Sequence, residues 1–225
     1  MSKKSKRYRK EAEGLKKDSV GLEEAINKIK SFKDVSFDQS VECVLNLGID
    51  SKQADQTIRG SISLPHGIGK KKRVAAFCED ADIEPAKQAG AVEAGCDELV
   101  KKVEDGWMDF DVAVASSKVM SQVGKLGRFL GPQGKMPSPK NGTVTDDIPK
   151  AVKEFSAGKL EFRNDAGGNV HAVVGKQSFS PEQLKDNVEY LVGQIRKMRP
   201  VSAKGAFIRK ISLSCTMSPG INVKL

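Results

Sequence analysis

A chain of 225 residues and 24.3 kDa is long for one compact domain and comfortable for two, and 38% hydrophobic with 30% charged residues suits a soluble globular protein. Its 38 Lys+Arg against 29 Asp+Glu leave +9, which favours a polyanion, nucleic acid or an acidic membrane face, although charge alone fits a merely basic protein as well. Aromatics at 5% argue against gripping single strands by stacking, Cys43, Cys78, Cys96 and Cys215 lie too far apart for a zinc ribbon or a secreted disulfide framework, and no apolar run reaches membrane-spanning length.

Residues 1–17 hold Lys3, Lys4, Lys6, Arg7, Arg9, Lys10, Lys16 and Lys17, a solvated tail expected to be disordered alone and ordered on a polyanion. No apolar h-region follows, so it is not a secretory signal. Gly21–Phe32 is a helix with Leu22, Ala25, Ile26 and Ile29 on one stripe. Phe37–Leu47 switches to period two, with Val41, Cys43, Leu45 and Leu47 on the dry face. Ser51–Thr57 fits a short helical turn and Arg59–Leu64 another strand. Pro65-His66-Gly67-Ile68-Gly69 reads as a linker.

Beyond Lys70-Lys71-Lys72-Arg73 the pattern changes. Val74–Cys78 and Asp111–Ala115 are short apolar runs, as in strands covered on both faces. Helices are expected over Glu84–Ala89, Cys96–Val103, Val119–Val123 and from Thr145 to about Phe155. Strands alternating with helices predict a small α/β domain around a parallel sheet.

Ala157-Gly158 is a second junction. Lys159–Lys176 then reads as a β-hairpin: Leu160 and Phe162 alternate with Glu161 and Arg163, Asn164–Asn169 turns, and Val170–Val174 returns. Its strands carry Lys159, Arg163, His171 and Lys176, and it is assigned to the sheet of an RNA-binding domain. Ser180-Pro181-Glu182-Gln183 opens a long helix with Leu184, Val188, Leu191, Ile195 and Met198 on its core stripe. Phe207–Met217 alternates again, with Phe207, Arg209, Ile211, Leu213, Cys215 and Met217 on one side. The fold expected is an α+β discontinuous RNA-binding domain, an antiparallel sheet with helices from residues 1–66 and 159–225, carrying an inserted α/β Rossmann-like domain at 67–158.

Gly124–Pro137 invites a phosphate-loop reading and fails it in detail. Phe129 stands where the first Gly is needed, and Met136 where Ser or Thr must follow Lys135. The stretch is instead expected to be an exposed basic loop, with Lys125, Arg128, Lys135 and Lys140 and glycines that let main-chain N–H groups approach phosphates; a plain surface loop fits equally. His66 and His171 lack metal-ligand neighbours, and no Gly-x-Ser-x-Gly elbow exists, so neither a metal nor a cofactor is expected. Thr216-Met217-Ser218-Pro219-Gly220 ends a strand with a hydroxyl, a thioether and small residues that let riboses come close, although a terminating turn explains it as well.

Several motifs then coincide: Ile58-Arg59-Gly60, Leu64-Pro65-His66-Gly67-Ile68-Gly69-Lys70, Gly127-Arg128-x-Leu130-Gly131-Pro132, Gly134-Lys135-Met136-Pro137, Phe162-Arg163-Asn164-Asp165, His171-Ala172-x-x-Gly175-Lys176 and Thr216-Met217. Together they resemble the bacterial-type ribosomal protein L-one family over nearly the whole chain. The resemblance implies a discontinuous RNA-binding domain with an insert lacking nucleotide chemistry, and a cytoplasmic protein of the ribosome with no membrane partner and no obligate homo-oligomer. It implies binding to the stalk of large-subunit ribosomal RNA beside the transfer-RNA exit site, assistance to transfer-RNA release, and repression of its own messenger RNA. It places RNA contacts on Phe37, Glu42, Arg59, Arg163, His171, Lys176, Thr216, Met217, Ser218 and Pro219. Ser218 stands where the family usually has Gly, which adds a side chain at the closest backbone approach. The competing hypothesis is an enzyme whose inserted domain holds a nucleotide; the failed phosphate-loop spacing counts against it.

Overall fold

The computed structural model describes residues 5–15, 18–32 and 35–224. Along the chain run α1 (Lys6–Glu13), β1 (Val20–Gly21), α2 (Leu22–Ser31), β2 (Ser40–Leu47), β3 (Arg59–Ile62), β4 (Val74–Phe77), α3 (Asp80–Gln88), β5 (Ala91–Gly95), α4 (Asp97–Glu104) and β6 (Val112–Ala115). There follow α5 (Met120–Val123), α6 (Gly127–Leu130), α7 (Ile148–Ser156), β7 (Leu160–Arg163), β8 (Asn169–Lys176), α8 (Pro181–Lys197), β9 (Ile208–Cys215) and β10 (Ile221–Lys224). They divide into two compact units, Met1–Gly69 with Leu160–Leu225, and Lys70–Lys159.

The first unit is built on a five-stranded sheet in the order β1-β10-β9-β2-β8, antiparallel except for the short β1–β10 pair. Strict alternation in β2 buries Val41, Cys43, Leu45 and Leu47 on one face. Val170, Ala172, Ile211, Leu213 and Cys215 join them, and α2 and α8 cover that face with Ala25, Ile26, Ile29, Leu184, Val188, Leu191 and Ile195. Helix α8 starts in a full capping box: Gln183 N–H donates to Ser180 Oγ at 3.3 Å and Ser180 N–H to Gln183 Oε1 at 3.0 Å. Asn187 is completely buried yet satisfied. Its Nδ2 donates to the carbonyls of Gly67 (3.0 Å) and Val174 (2.7 Å), and its Oδ1 accepts from His66 N–H (3.1 Å).

Several expectations change. The strands around Asn164–Asn169 do not form a hairpin ladder: β7 pairs with β3 in a separate two-stranded antiparallel sheet, while β8 pairs with β2, and only an Asn164–Val170 bridge joins the two. The chain reverses there because the Asp165 carboxylate accepts from Gly167 N–H (2.8 Å) and Asn169 N–H (2.7 Å). Gly168, at φ +75°, then turns its carbonyl onto Leu47 N–H. Asn164 meanwhile bonds both main-chain groups of Ile58, which draws β7 towards β3. Within the described part of the basic tail, Lys6–Glu13 is a helix capped by Ser5 and braced by Arg7–Glu11; residues 1–4, 16 and 17 lie outside the described residues. The 51–57 stretch is turns rather than helix, and Met198 ends α8 at 41% exposure instead of joining the core. At the start of β9, a register shift opposite Asn46/Leu47 turns Arg209 out to solvent.

The second unit has a three-stranded parallel sheet, β5-β4-β6. Both β4 and β6 are buried on both faces. Val74 and Ala76 face α3 and α7, while Ala75 and Phe77 face the layer of α4, α5 and α6. Helix α3 starts earlier than the spacing suggests, at Asp80, and β5 was not foreseen.

Candidate nucleic-acid interface

All ten residues assigned to RNA contact fall in the first unit. The charge falls there too: of 38 basic and 29 acidic residues the second unit holds 15 and 14, leaving 23 and 15 to the first. The side of the five-stranded sheet opposite its helices is laid out by register. Across β8, β2 and β9 run the rows Val173–Glu42–Ser214, His171–Val44–Ser212 and Asn169–Asn46–Lys210. Asn222 of β10 extends the middle row, accepting from Ser212 Oγ–H at 3.1 Å. Five of these ten side chains are small hydroxyls or amides, so a sugar–phosphate backbone can approach the strands closely and meet hydroxyl partners.

His171 and Lys176 are five residues apart, which strict alternation would send to opposite faces. A bulge at Val174, where the β2–β8 register shifts, restores Lys176 to the same face. Its ammonium donates to Ser40 Oγ at 3.0 Å, opposite Thr216. Thr216 Oγ1 accepts from Ser40 N–H at 3.2 Å, and Thr216 N–H donates to Ser40 O at 3.1 Å. Just outside the strand, Phe37 is 49% exposed and Met217 52%. Asp38 holds this end by accepting from Ser178 N–H (3.2 Å) and Ser178 Oγ–H (2.8 Å).

The Ser218 hydroxyl does not stand out towards a ligand. It folds back to accept from Cys215 N–H at 2.9 Å, while Ser218 N–H donates to Cys215 O. The serine thereby tightens the turn. Pro219 is buried behind it. Burial pushes the Cys215 thiol up to about 11 and Cys43 to about 12, so both are protonated, apolar filling of the sheet's dry face.

At the other end of the sheet, Arg59 and Arg163 stand directly opposite each other on β3 and β7, both exposed. Arg163 has no ion-pair partner among the described residues. An open cleft of about 500 Å³ is lined by Glu161, Phe162, Arg163, Asn164, Asp165, Ala166 and His171. Hydrogen bonds from Asn169, then from Gly167, and the neighbouring His171 at 3.7 Å hold the Asp165 carboxyl below the usual range. Like charges directly across a ladder destabilise it. This end of the surface thus brings two arginines close to His171 and the Asp165 carboxylate.

Sequence reasoning missed a further set of cations. After Glu189 the chain has no Asp or Glu, yet Arg196, Lys197, Arg199, Lys204, Arg209 and Lys210 follow, all exposed. Arg199 closes its loop by donating to the carbonyls of Ala203 and Gly205, both at 3.0 Å. The absence of acid over this length was the available signal.

The described residues of the second unit do not favour a nucleotide. In an open parallel sheet ligands sit beyond the carboxyl ends of the strands. Here that place has Glu79 paired with Lys118 at 3.0 Å, with Asp82 and Asp146 close enough to raise the Lys118 ammonium further after Glu79. Carboxylates at this position repel phosphate. Only the first half of the expected exposed glycine loop is helical: Gly124–Leu126 forms a 3₁₀ turn into α6, and Leu126 and Leu130 are fully buried, while residues 131–134 form an exposed turn. Its main-chain N–H groups are spent internally, Gly131 on Gly127 O and Lys135 on Leu130 O, so they are not offered to phosphate. Lys125, Arg128 and Lys140 remain exposed, whereas Lys135 donates to Met108 O at 3.2 Å and lies over the Phe110 ring.

Residues 29–219 match the model of the ribosomal protein L1p/L10e family. The chain is 47% identical to a Kosmotoga olearia protein named large ribosomal subunit protein uL1, over 99% of this chain and 97% of the relative. Proteins of the same name from a Nocardioides species (46%; 97% and 92%) and Chlorobium chlorochromatii (44%; 98% and 96%) are similarly close. With a family model matched over residues 29–219 and near-complete coverage at this identity, the chain belongs to the ribosomal protein L1p/L10e family, as a ribosome-associated, cytoplasmic structural protein and not an enzyme.

Proposed function

We propose that this protein is a constituent of the large ribosomal subunit that binds the ribosomal-RNA stalk beside the transfer-RNA exit site through its first unit. The observation that carries the reading is the solvated sheet face rich in hydroxyl and amide side chains, bounded by the Thr216–Pro219 turn at one end and by the Arg59–Arg163 pair at the other. The two ends differ in character. The turn end is nearly neutral and held by hydrogen bonds, so it recognises shape and 2′-hydroxyls, with Phe37, Glu42, Lys176, Thr216, Met217 and Ser218 around it. The arginine end, with His171, takes phosphates.

Residues 1–66 with 159–225 act in this reading as one RNA-binding domain, and the α/β insert 67–158 as a second body without nucleotide chemistry. Transfer RNA leaving the exit site is the second partner, and the chain assists its release. A similar fold in its own messenger RNA competes for the same surface and brings translational repression. The test is a titration of the stalk stem–loop between 50 and 200 mM salt. Specific binding should weaken with a slope of about −0.7 to −0.9 per phosphate engaged. Binding that ignores salt, or that does not prefer the stem–loop over an unrelated hairpin, overturns the proposal.

A further inference from the structure

Gln39 is 1% exposed, an unusual place for an amide, and its side chain is the middle of a relay. Its Oε1 accepts Met217 N–H at 3.0 Å, and its Nε2 donates to Gln177 Oε1 at 2.9 Å. Gln177 Nε2 donates in turn to Ile29 O, in the last turn of α2, at 3.4 Å. Main-chain groups fix the polarity at both ends. Met217 N–H can only donate, so Gln39 must present its oxygen; Ile29 C=O can only accept, so Gln177 must present its NH₂. One arrangement of the two amides satisfies every group. The backbones add a parallel bond, Gln177 N–H to Gln39 O at 2.8 Å.

Met217 is clamped from the other side as well, its carbonyl accepting from Arg7 Nη2 at 2.9 Å. Both main-chain polar groups of this residue are engaged while half its side chain faces solvent. A methionine on a free turn would have to order its backbone and three side-chain torsions on binding; one on a fixed backbone orders only the side chain. We propose that Gln39, which is too buried to touch a ligand, is a positioning residue for RNA: the relay presets the Met217 backbone so that the thioether meets the ligand already placed. The inference rests on the RNA-binding reading above.

Gln39→Met keeps the length and volume of the side chain and removes both relay bonds. Affinity and dissociation rate for the stalk stem–loop are measured for this variant in the unaltered chain and in a Met217→Ala background, with a thermal melt of each. The relay predicts about tenfold weaker binding in the unaltered chain, through faster dissociation. It predicts less than about twofold further loss on Met217→Ala, because the two residues act as a unit. Equal losses in both backgrounds, or no loss at all, overturn it. Should Gln39→Met fail to fold, Gln177→Met carries the same comparison one link further from the surface. A stem–loop that the unaltered chain does not bind sinks the RNA-binding reading and the relay with it. A stem–loop bound equally by Gln39→Met sinks the relay alone.

Discussion

Replacing Arg163 with glutamine should raise the stability of the free protein and lower its affinity for RNA, two effects of opposite sign from one change. Arg163 lies opposite Arg59 in the β3–β7 ladder, where cross-strand side chains start about 5 Å apart. Two unit charges ~6 Å apart in water repel by roughly 0.7 kcal/mol. Both side chains are exposed and screened by salt, so relief of about 0.2–0.7 kcal/mol is expected, a rise in melting temperature of about 1–3 °C. In the complex the same guanidinium is one phosphate contact, and its loss should reduce the slope of log K against log salt by about 1. Melting at low salt and stem–loop titrations from 50 to 200 mM salt read the two effects separately. An unchanged salt slope with weaker binding would show that Arg163 acts through the fold, and a lower melting temperature would refute the repulsion.

Asn187→Leu should be among the most damaging single changes in the first unit, since it leaves two carbonyls and one N–H without partners in a dry site; a loss of about 2–4 kcal/mol is expected in urea unfolding, and a loss under 1 kcal/mol would contradict it. Residues 1–69 joined by a short linker to 160–225 should fold and bind the stem–loop without the insert, and a product with no cooperative melt would break the division of the chain. Asp165→Asn should lower the urea midpoint at pH 7. The folded carboxyl lies below its unfolded value, so its contribution is present above about pH 4 and is lost as pH falls through the depressed value. The gap between variant and parent should therefore close on acidification, and a gap independent of pH would count against the turn.

Legibility in the sequence followed how local each signal was. Helix α8 was readable because Ser180, Pro181 and Gln183 specify its start and its stripe runs unbroken for about three turns. Strand β2 was readable from alternation alone. Strands β1 and β10, of two and four residues, are too short to show a period, and β5 is only partly buried along most of its Ala-Val-Glu-Ala-Gly run. Reading all of Gly124–Pro137 as loop gave glycine too much weight over its first half: Val119, Val123, Leu126 and Leu130 repeat at four, three and four, and burial of that stripe outweighs the glycines' low helix propensity. The candidate site was legible as residue types but not as a surface. Which face Lys176 takes depends on a bulge, and which strand Arg163 meets depends on a pairing made over a hundred residues away.

Strand β2 sits between β8 and β9, yet the ribosome makes β2 first and its two neighbours last. At about 5–20 residues per second, β2 must wait on the order of ten seconds or more with both edges bare before either neighbour emerges. The contiguous Lys70–Lys159 segment is a compact unit whose residues are all made within that interval. Biogenesis thus runs inside out: the intervening body matures while the older half idles as unprotected β-edge, and a nascent chain stalled before residue 169 is the form most exposed to aggregation and most dependent on chaperones.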